Sequence, residues 1–152
     1  MERQGRHEKC GKICQKYKKG QKIVIIDTDV LIWYLRGNES AQKIIDASIP
    51  FKISVINYME LLQGMKGKKE LSILQKYLKK WSVEIVLINE NISSRAMFLV
   101  EDYYLSHSLE LGDAIIAATA LEYREILLTA NEKHYSFIPN IKTKKFRVSP
   151  GG

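Results

Sequence analysis

Short apolar segments alternate with amphipathic segments along most of this chain, and this alternation constrains the fold more than any other feature. Four segments have the length and apolar content of buried strands, at 22–27, 51–54, 83–88 and 125–130. Helical spacing of apolar residues occupies the stretches between them, at 28–36, 39–47, 56–64, 68–81, 90–105 and 112–123. Strands that alternate with helices are typical of a parallel sheet covered by helices. We therefore predict one α/β domain over residues 23–148, with a last edge strand near its C-terminal end.

The positive charge of the chain is concentrated at its N-terminus. The 152 residues carry a net charge of +7, and residues 1–22 contain eight Lys and Arg against two Glu. The remaining residues contain 16 basic and 15 acidic side chains, so the predicted domain is nearly neutral. We expect residues 1–22 to be a basic, disordered extension that can help attract nucleic acid, and residues 149–152 to be disordered as well.

Several classes of protein are disfavoured by the sequence. The apolar runs are too short to span a bilayer, and the polar N-terminus lacks the apolar segment of a secretory signal. We therefore expect a cytoplasmic protein with no membrane association. His7, Cys10 and Cys14 do not have the spacing of a zinc finger or knuckle, so no metal site is predicted there.

Polar side chains are placed where the predicted strands end. Asp27 follows the first strand, and Thr129 and Asn131 lie at the end of the 125–130 strand. Glu60 lies in the helix after the second strand, and Asp113 opens the apolar helix before the 125–130 strand. Because ligands bind at the carboxyl ends of parallel strands, these segments can converge on one edge of the sheet.

Such a cluster suits a hard cation, although each residue also has a structural interpretation. Asp27 or Asp29 can cap the following helix, Glu60 can be a solvated side chain, and Asn131 can be a turn residue. Together, three carboxylates without an obvious Lys or Arg partner repel one another unless a cation lies between them. Mg²⁺ takes oxygen ligands and can activate water for attack on a phosphodiester. No Ser or Cys nucleophile stands in a triad arrangement, and we expect His134 to be a surface histidine.

Three sequence blocks, taken together, carry a resemblance to a known family. They are VIIDTDVLIWYLRG at 24–37, ISVINYMELLQG at 53–64 and LGDAIIAATALEYREILLTANEKHYSFIPNIK at 111–142. Their residues and order resemble the PIN-domain ribonucleases, specifically the VapC-type toxins of toxin–antitoxin pairs. The resemblance covers residues 23–145 and implies a three-layer α/β/α fold with a central, mostly parallel sheet.

The resemblance also implies functional roles. It implies an endoribonuclease that depends on Mg²⁺ or Mn²⁺, acts on RNA such as tRNA or rRNA, and forms a homodimer. It implies catalytic roles for Asp27, Glu60 and Asp113, with Asp27 and Asp113 binding the metal. Asp29, Thr129 and Asn131 would support this acidic site, although the family usually has an acidic residue where Asn131 stands. A VapB-like antitoxin would block the cleft with its C-terminal segment.

Other functions remain open from the sequence alone. A haloacid-dehalogenase-like phosphatase also begins with a strand followed by Asp-x-Asp, but its Thr and Lys come before its Gly-Asp block. In this chain Thr129 follows Gly112 and Asp113, which disfavours the phosphatase. A non-catalytic RNA- or protein-binding domain is a second alternative, favoured by Asn131. A housekeeping RNA-processing nuclease is a third.

The near-neutral domain leaves few candidates for contact with RNA phosphates. We select four basic residues that flank the predicted loops after the first and third helices: Arg36, Lys66, Lys68 and Lys69. Contacts of this kind position RNA without reading its sequence.

Overall fold

Residues 19–149 are described in a computed structural model and form alternating strands and helices. In chain order the elements are β1 (Val24–Ile26), α1 (Thr28–Leu35), α2 (Glu39–Ser48), β2 (Lys52–Ser54), α3 (Val55–Gly64), α4 (Lys68–Lys80), β3 (Glu84–Val86), α5 (Glu90–His107), α6 (Leu111–Tyr123), β4 (Ile126–Thr129), a 3₁₀ turn (Glu132–His134) and β5 (Thr143–Lys145). Every predicted helix and strand is present, including the last edge strand. Residues 1–18 and 150–152 lie outside the described residues, so the disorder expected there stays a prediction. No helix within residues 19–149 is long and apolar enough to cross a membrane.

The sheet contains five strands in the order β3-β2-β1-β4-β5. Each neighbouring pair is parallel, with register pairs such as Ile25 with Lys52 and Ile26 with Leu128. β1 is therefore the central strand, and the carboxyl ends of all five strands meet at one edge. This topology confirms the predicted parallel sheet.

Helices cover both faces of the sheet because successive residues of a strand point to opposite sides. Ile25 of β1 and Leu127 of β4 pack with α5 and α6. Ile26 and Leu128, one position further along each strand, pack with α1, α2, α3 and α4. The three-layer α/β/α fold is thus confirmed, and α6 is buried along most of its length, as its apolar sequence predicts.

An aromatic cluster holds α4 against α1 and β2. Trp81, directly after α4, is fully buried. The rings of Tyr34, Tyr77 and Phe51 surround it, with ring centroids 5.0, 5.5 and 5.8 Å away. Leu74 of α4 is buried in the same layer. The packing of α4 fixes one wall of the groove described below.

A buried ion pair joins β2 to β4 at the amino ends of the strands. Lys52 Nζ lies 2.7 Å from Glu125 Oε1, with only 9% and 15% of the two side chains exposed. The ammonium group also lies 4.3 Å from the centre of the Tyr123 ring. Burial raises the pKa of Glu125, and the hydrogen bond and charge of Lys52 oppose that increase.

Lys52→Met is therefore expected to destabilise the protein in a pH-dependent way. At pH 7 the free energy of unfolding should fall by about 3 kcal/mol, because a buried carboxylate loses its cation. The loss should be smaller near pH 4. A carboxyl group whose pKa is raised by folding contributes stability when it is protonated and loses it as pH rises. Urea unfolding at both pH values measures the difference. The double variant Lys52→Met/Glu125→Gln should recover most of the loss, whereas equal losses at both pH values would indicate a packing defect.

Candidate active site

Asp27 is a buried carboxylate at the carboxyl end of the central strand, and only 7% of the residue is exposed. It is also the N-cap of α1, because its Oδ1 accepts a hydrogen bond from the Thr28 backbone N–H at 2.8 Å. Asn57 Nδ2 donates to the same oxygen at 3.2 Å. Oδ2 accepts from Thr129 Oγ1 at 2.9 Å and from the Tyr135 hydroxyl at 3.1 Å. Burial raises the pKa of Asp27, although these donors favour the charged form.

Asp113 lies in the first turn of α6 and faces Asp27 across the Tyr135 hydroxyl. Its Oδ1 accepts from that hydroxyl at 3.1 Å. Its Oδ2 lies 3.0 Å from Nδ1 of His134, whose side chain is 56% exposed. One fully buried tyrosine therefore links the two carboxylates. Burial and the two negative charges raise the pKa of Tyr135, so its hydroxyl remains a donor.

Glu60 joins the site from the opposite side through Thr28. The Thr28 hydroxyl donates to Glu60 Oε2 and accepts from Asn57 Nδ2 at 2.9 Å. Desolvation raises the pKa of Glu60, and the charges of Asp27 and Asp113 raise it further. The first turn of α6 also lies close to this side chain, since a Cβ at Gly112 would be 3.5 Å from Glu60 Oε1. The structure thus brings the three predicted acids together at one edge of the sheet.

Asp29 and Asn131 lie beside the three acids and contact each other. Asp29 Oδ2 accepts from Asn131 Nδ2 at 3.0 Å and from the Ala130 backbone N–H at 3.1 Å. Burial and the charge of Asp27 raise the pKa of Asp29 to about 6. Asp29 therefore ties α1 to the end of β4, while Asp27 caps the helix. Asn131 is exposed, and its side-chain hydrogen bond goes to Asp29 and not to Asp27 or Asp113.

Sequence reasoning missed Thr28, Asn57 and Tyr135 as members of the site. Asn57 carried a readable signal, because it stands three residues after Ser54 in a capping box. The side-chain oxygen Oδ1 of Asn57 accepts a hydrogen bond from the Ser54 backbone N–H at 3.0 Å. The side-chain NH₂ group of Asn57 is therefore available to donate to Asp27 and Thr28. Tyr135 carried no such signal. His134 is exposed, as predicted, but it also contacts Asp113.

The donor set fits a hard divalent cation. Asp27, Asp113 and Glu60 offer only oxygen atoms, and no Lys or Arg within residues 19–149 forms an ion pair with them. In the same part of the chain, no three His, Cys, Asp or Glu side chains already enclose a point where a metal could sit. Divalent cations such as Mg²⁺ commonly use one or two protein carboxylates and keep several waters, and Asp27, Asp113 and Glu60 are the side chains that could hold such a cation here.

A largely apolar groove extends from Glu60 between α1, α3 and α4. It has a volume of about 460 Å³ and is lined by Ile32, Leu35, Leu61, Met65, Ile73 and Leu74, among others. Arg36 and Lys66, two of the predicted phosphate contacts, also line it. Lys68 and Lys69 are exposed at the start of α4 and are not part of the groove lining.

Residues 24–137 match the PIN domain family. The chain is a PIN-domain protein. It is 31% identical over 124 residues to ribonuclease VapC10 of Mycobacterium tuberculosis, a match that covers 79% of this chain and 91% of the relative. This PIN protein therefore belongs with the VapC-type ribonucleases, and the phosphatase alternative is set aside.

Solved structures agree with the PIN assignment. One chain of a toxin–antitoxin complex from Klebsiella pneumoniae has a TM-score of 0.68 and 30% sequence identity, and the match covers 81% of this PIN protein and 99% of that chain. A chain of DNA-bound VapBC from Salmonella typhimurium has a TM-score of 0.72 at 17% identity, over 82% of this protein and 98% of that chain. The second likeness supports the fold alone.

Proposed function

We propose that this protein is the toxin of a toxin–antitoxin pair and hydrolyses RNA phosphodiester bonds with Mg²⁺ or Mn²⁺. The observation that carries the proposal is the pairing of Asp27 with Asp113 through one tyrosine hydroxyl, at 3.1 Å from each carboxylate. Two carboxylates without a Lys or Arg partner favour a divalent cation, and the relationship to VapC ribonucleases supports RNA as the substrate.

Each side chain of the site has a distinct task in this proposal. Asp27 and Asp113 hold the cation, which when bound lowers the pKa of water and offsets negative charge on the phosphate. Thr129 orients Asp27, because it donates to one defined oxygen at 2.9 Å. Glu60 is exposed and its pKa is raised, so it can accept a proton from the attacking water. Asp29 and Asn131 hold the end of β4 beside the site.

The groove beside Glu60 is proposed to receive the antitoxin. Its apolar lining suits an amphipathic segment. Because Glu60 also lines the groove, an antitoxin segment bound there would lie next to the acidic cluster. The solved Klebsiella pneumoniae relative is described as a toxin–antitoxin complex, which supports a partner of the VapB type. A segment that fills the groove and reaches the carboxylates would exclude RNA.

An exposed apolar surface supports the proposed homodimer. It is formed by one side of α5, a residue two positions before that helix, and the start of α6, where Leu111 is 71% exposed. Tyr104, Met97 and Ile88 extend the same surface. Apolar patches of this kind mark interaction sites.

The alternative of a non-catalytic module loses its main support. Asn131 suggested it because an acid usually stands at that position. The Asn131 side chain contacts Asp29, and Asp27, Glu60 and Asp113 lie together in a chain that has Asn at this position.

The experiment that tests the proposed function is a metal-dependent cleavage assay. The full chain would be stripped with EDTA and incubated with labelled total tRNA and with rRNA, before and after addition of Mg²⁺ or Mn²⁺. We expect discrete cleavage only with the metal, and inhibition by the product of an adjacent antitoxin gene. Cleavage that persists in EDTA would contradict the role of the metal. The absence of Mn²⁺ binding would favour the non-catalytic module, whereas metal binding without cleavage of these RNAs would point to a different RNA target.

A further inference from the structure

The last part of the described chain carries basic residues without any acidic ones. Residues 133–149 contain five Lys and Arg and no Asp or Glu. From residue 23 onward the chain as a whole has nearly equal numbers of basic and acidic side chains. The excess is therefore local, and it coincides with β5 and the residues next to it.

The fold carries this charge to the edge of the sheet that holds the acidic site. β5 is parallel to β4, and Lys145 is in register with Thr129. The backbone N–H of Phe146 donates to the Thr129 carbonyl at 2.8 Å, while the Thr129 hydroxyl donates to Asp27. The carboxyl end of β5 is thus two strands from Asp27, or about 10 Å at the usual strand spacing.

Three cations at this end are exposed and unneutralised. Lys144, Lys145 and Arg147 are exposed, and none of them forms an ion pair within residues 19–149. Their backbone is nevertheless well anchored. Phe146 is buried, and Thr143 Oγ1 donates to Glu132 Oε1 at 2.8 Å. We name Lys144, Lys145 and Arg147 the basic edge.

We propose that the basic edge binds phosphates of the RNA strand next to the bond that is cut. This inference rests on the proposed function, because it takes RNA as the substrate. The three clustered acids repel a polyanion, so productive binding needs cations close by. Arg36 and Lys66 lie on the Glu60 side of the cluster, and the basic edge lies on the β4 side. An RNA strand held from both sides crosses the carboxylates between them.

A competing explanation for Lys144 and Lys145 is that they protect β5, as the edge strand, from pairing with another chain. Lys on an edge strand discourages pairing with another chain. That role does not account for Arg147, which lies two residues beyond the end of β5. It also predicts a different outcome in the test below.

A charge-matched pair of variants tests the inference in the full chain. Lys144→Gln/Lys145→Gln/Arg147→Gln removes the basic edge. Lys43→Gln/Lys76→Gln/Lys79→Gln removes three exposed lysines from α2 and α4. Labelled total tRNA in EDTA is the binding probe, so that affinity is measured without cleavage. The rate of tRNA cleavage with metal, measured over a range of tRNA concentrations, then gives KM and kcat separately.

We expect the basic-edge variant to bind tRNA about 10-fold more weakly near physiological salt, with a salt slope smaller by up to about 2. The KM of the basic-edge variant should rise with kcat nearly unchanged. The tRNA affinity and KM of the control variant should stay within about 2-fold of wild type. Because both variants lose three positive charges, the difference between them reports the position of the charges and not the net charge. Equal losses in both variants would overturn the inference. Unchanged RNA binding in the basic-edge variant would overturn it as well. Aggregation of that variant would then indicate edge protection, and loss of antitoxin binding would indicate a protein-binding role. If the wild type neither binds nor cuts RNA, the proposed function itself fails, whereas unchanged KM in an active enzyme refutes the basic edge alone.

Discussion

Asp27→Asn is expected to abolish metal-dependent RNA cleavage, with a loss of at least about 100-fold in kcat. The change removes the negative charge that would hold the cation, while the side chain keeps its size. It also disturbs the hydrogen bonds, because each Asp27 oxygen accepts from two donors. An amide in either orientation places its NH₂ group against two of those donors. Cleavage of tRNA measures the loss of activity, and calorimetric titration with Mn²⁺ measures the loss of metal affinity.

The same change at another position provides the control. Asp102 is an exposed acid on α5, and Asp102→Asn should leave both cleavage and Mn²⁺ affinity at wild-type levels. Asp113→Asn should behave as Asp27→Asn does. If Asp27→Asn retains full activity while circular dichroism shows an intact fold, the acidic cluster is not the catalytic site.

Tyr135→Phe is expected to weaken Mn²⁺ binding and cleavage by about 10–100-fold, the usual effect of removing a group that orients metal ligands. The ring remains in the core, but both carboxylates lose their shared donor at 3.1 Å. Asp27 keeps Thr129 as a donor to Oδ2, whereas the remaining side-chain partner of Asp113 within residues 19–149 is the exposed His134. Tyr135 would therefore act as a positioning residue.

A second substitution at Tyr135 separates this role from packing. Tyr135→Ala removes a fully buried ring and should lower the free energy of unfolding by about 3–5 kcal/mol. Tyr135→Phe should lose far less stability than Tyr135→Ala and still lose metal affinity. Wild-type Mn²⁺ affinity in Tyr135→Phe would show that the hydroxyl does not organise the site.

Local sequence patterns predicted the elements of this fold well, because each strand and helix has its own periodicity. The parallel sheet follows from their alternation, and the positions of Asp27 and Thr129 follow from where β1 and β4 end. Glu60 and Asp113 lie on helices next to β2 and β4, which made them candidates, and the resemblance to PIN domains then implied their roles. Composition of the whole domain also concealed the basic edge, since acids elsewhere balance it.

The hydrogen bonds within the site could not be predicted, because they join distant parts of the chain. Asn57 lies 30 positions from Asp27, and Tyr135 lies 108 positions from it. A helical period does not specify which polar side chain reaches across a sheet edge. Asn131 illustrates the same limit, since its place after β4 suggested a supporting position at the acidic site but not that its side chain would contact Asp29.

The long separation between the partners of Asp27 has a consequence during protein synthesis. Asp113, Thr129 and Tyr135 are all added late, and without them Asp27 has neither its paired carboxylate nor the donors to Oδ2. At about 5–20 residues per second, a ribosome needs roughly 7–27 s to reach Tyr135. Until then the contacts of Asp27 Oδ2 with Thr129 and Tyr135 cannot all form, so the proposed active site is completed only near the end of synthesis. We expect a chain that is truncated before Tyr135 to lack nuclease activity.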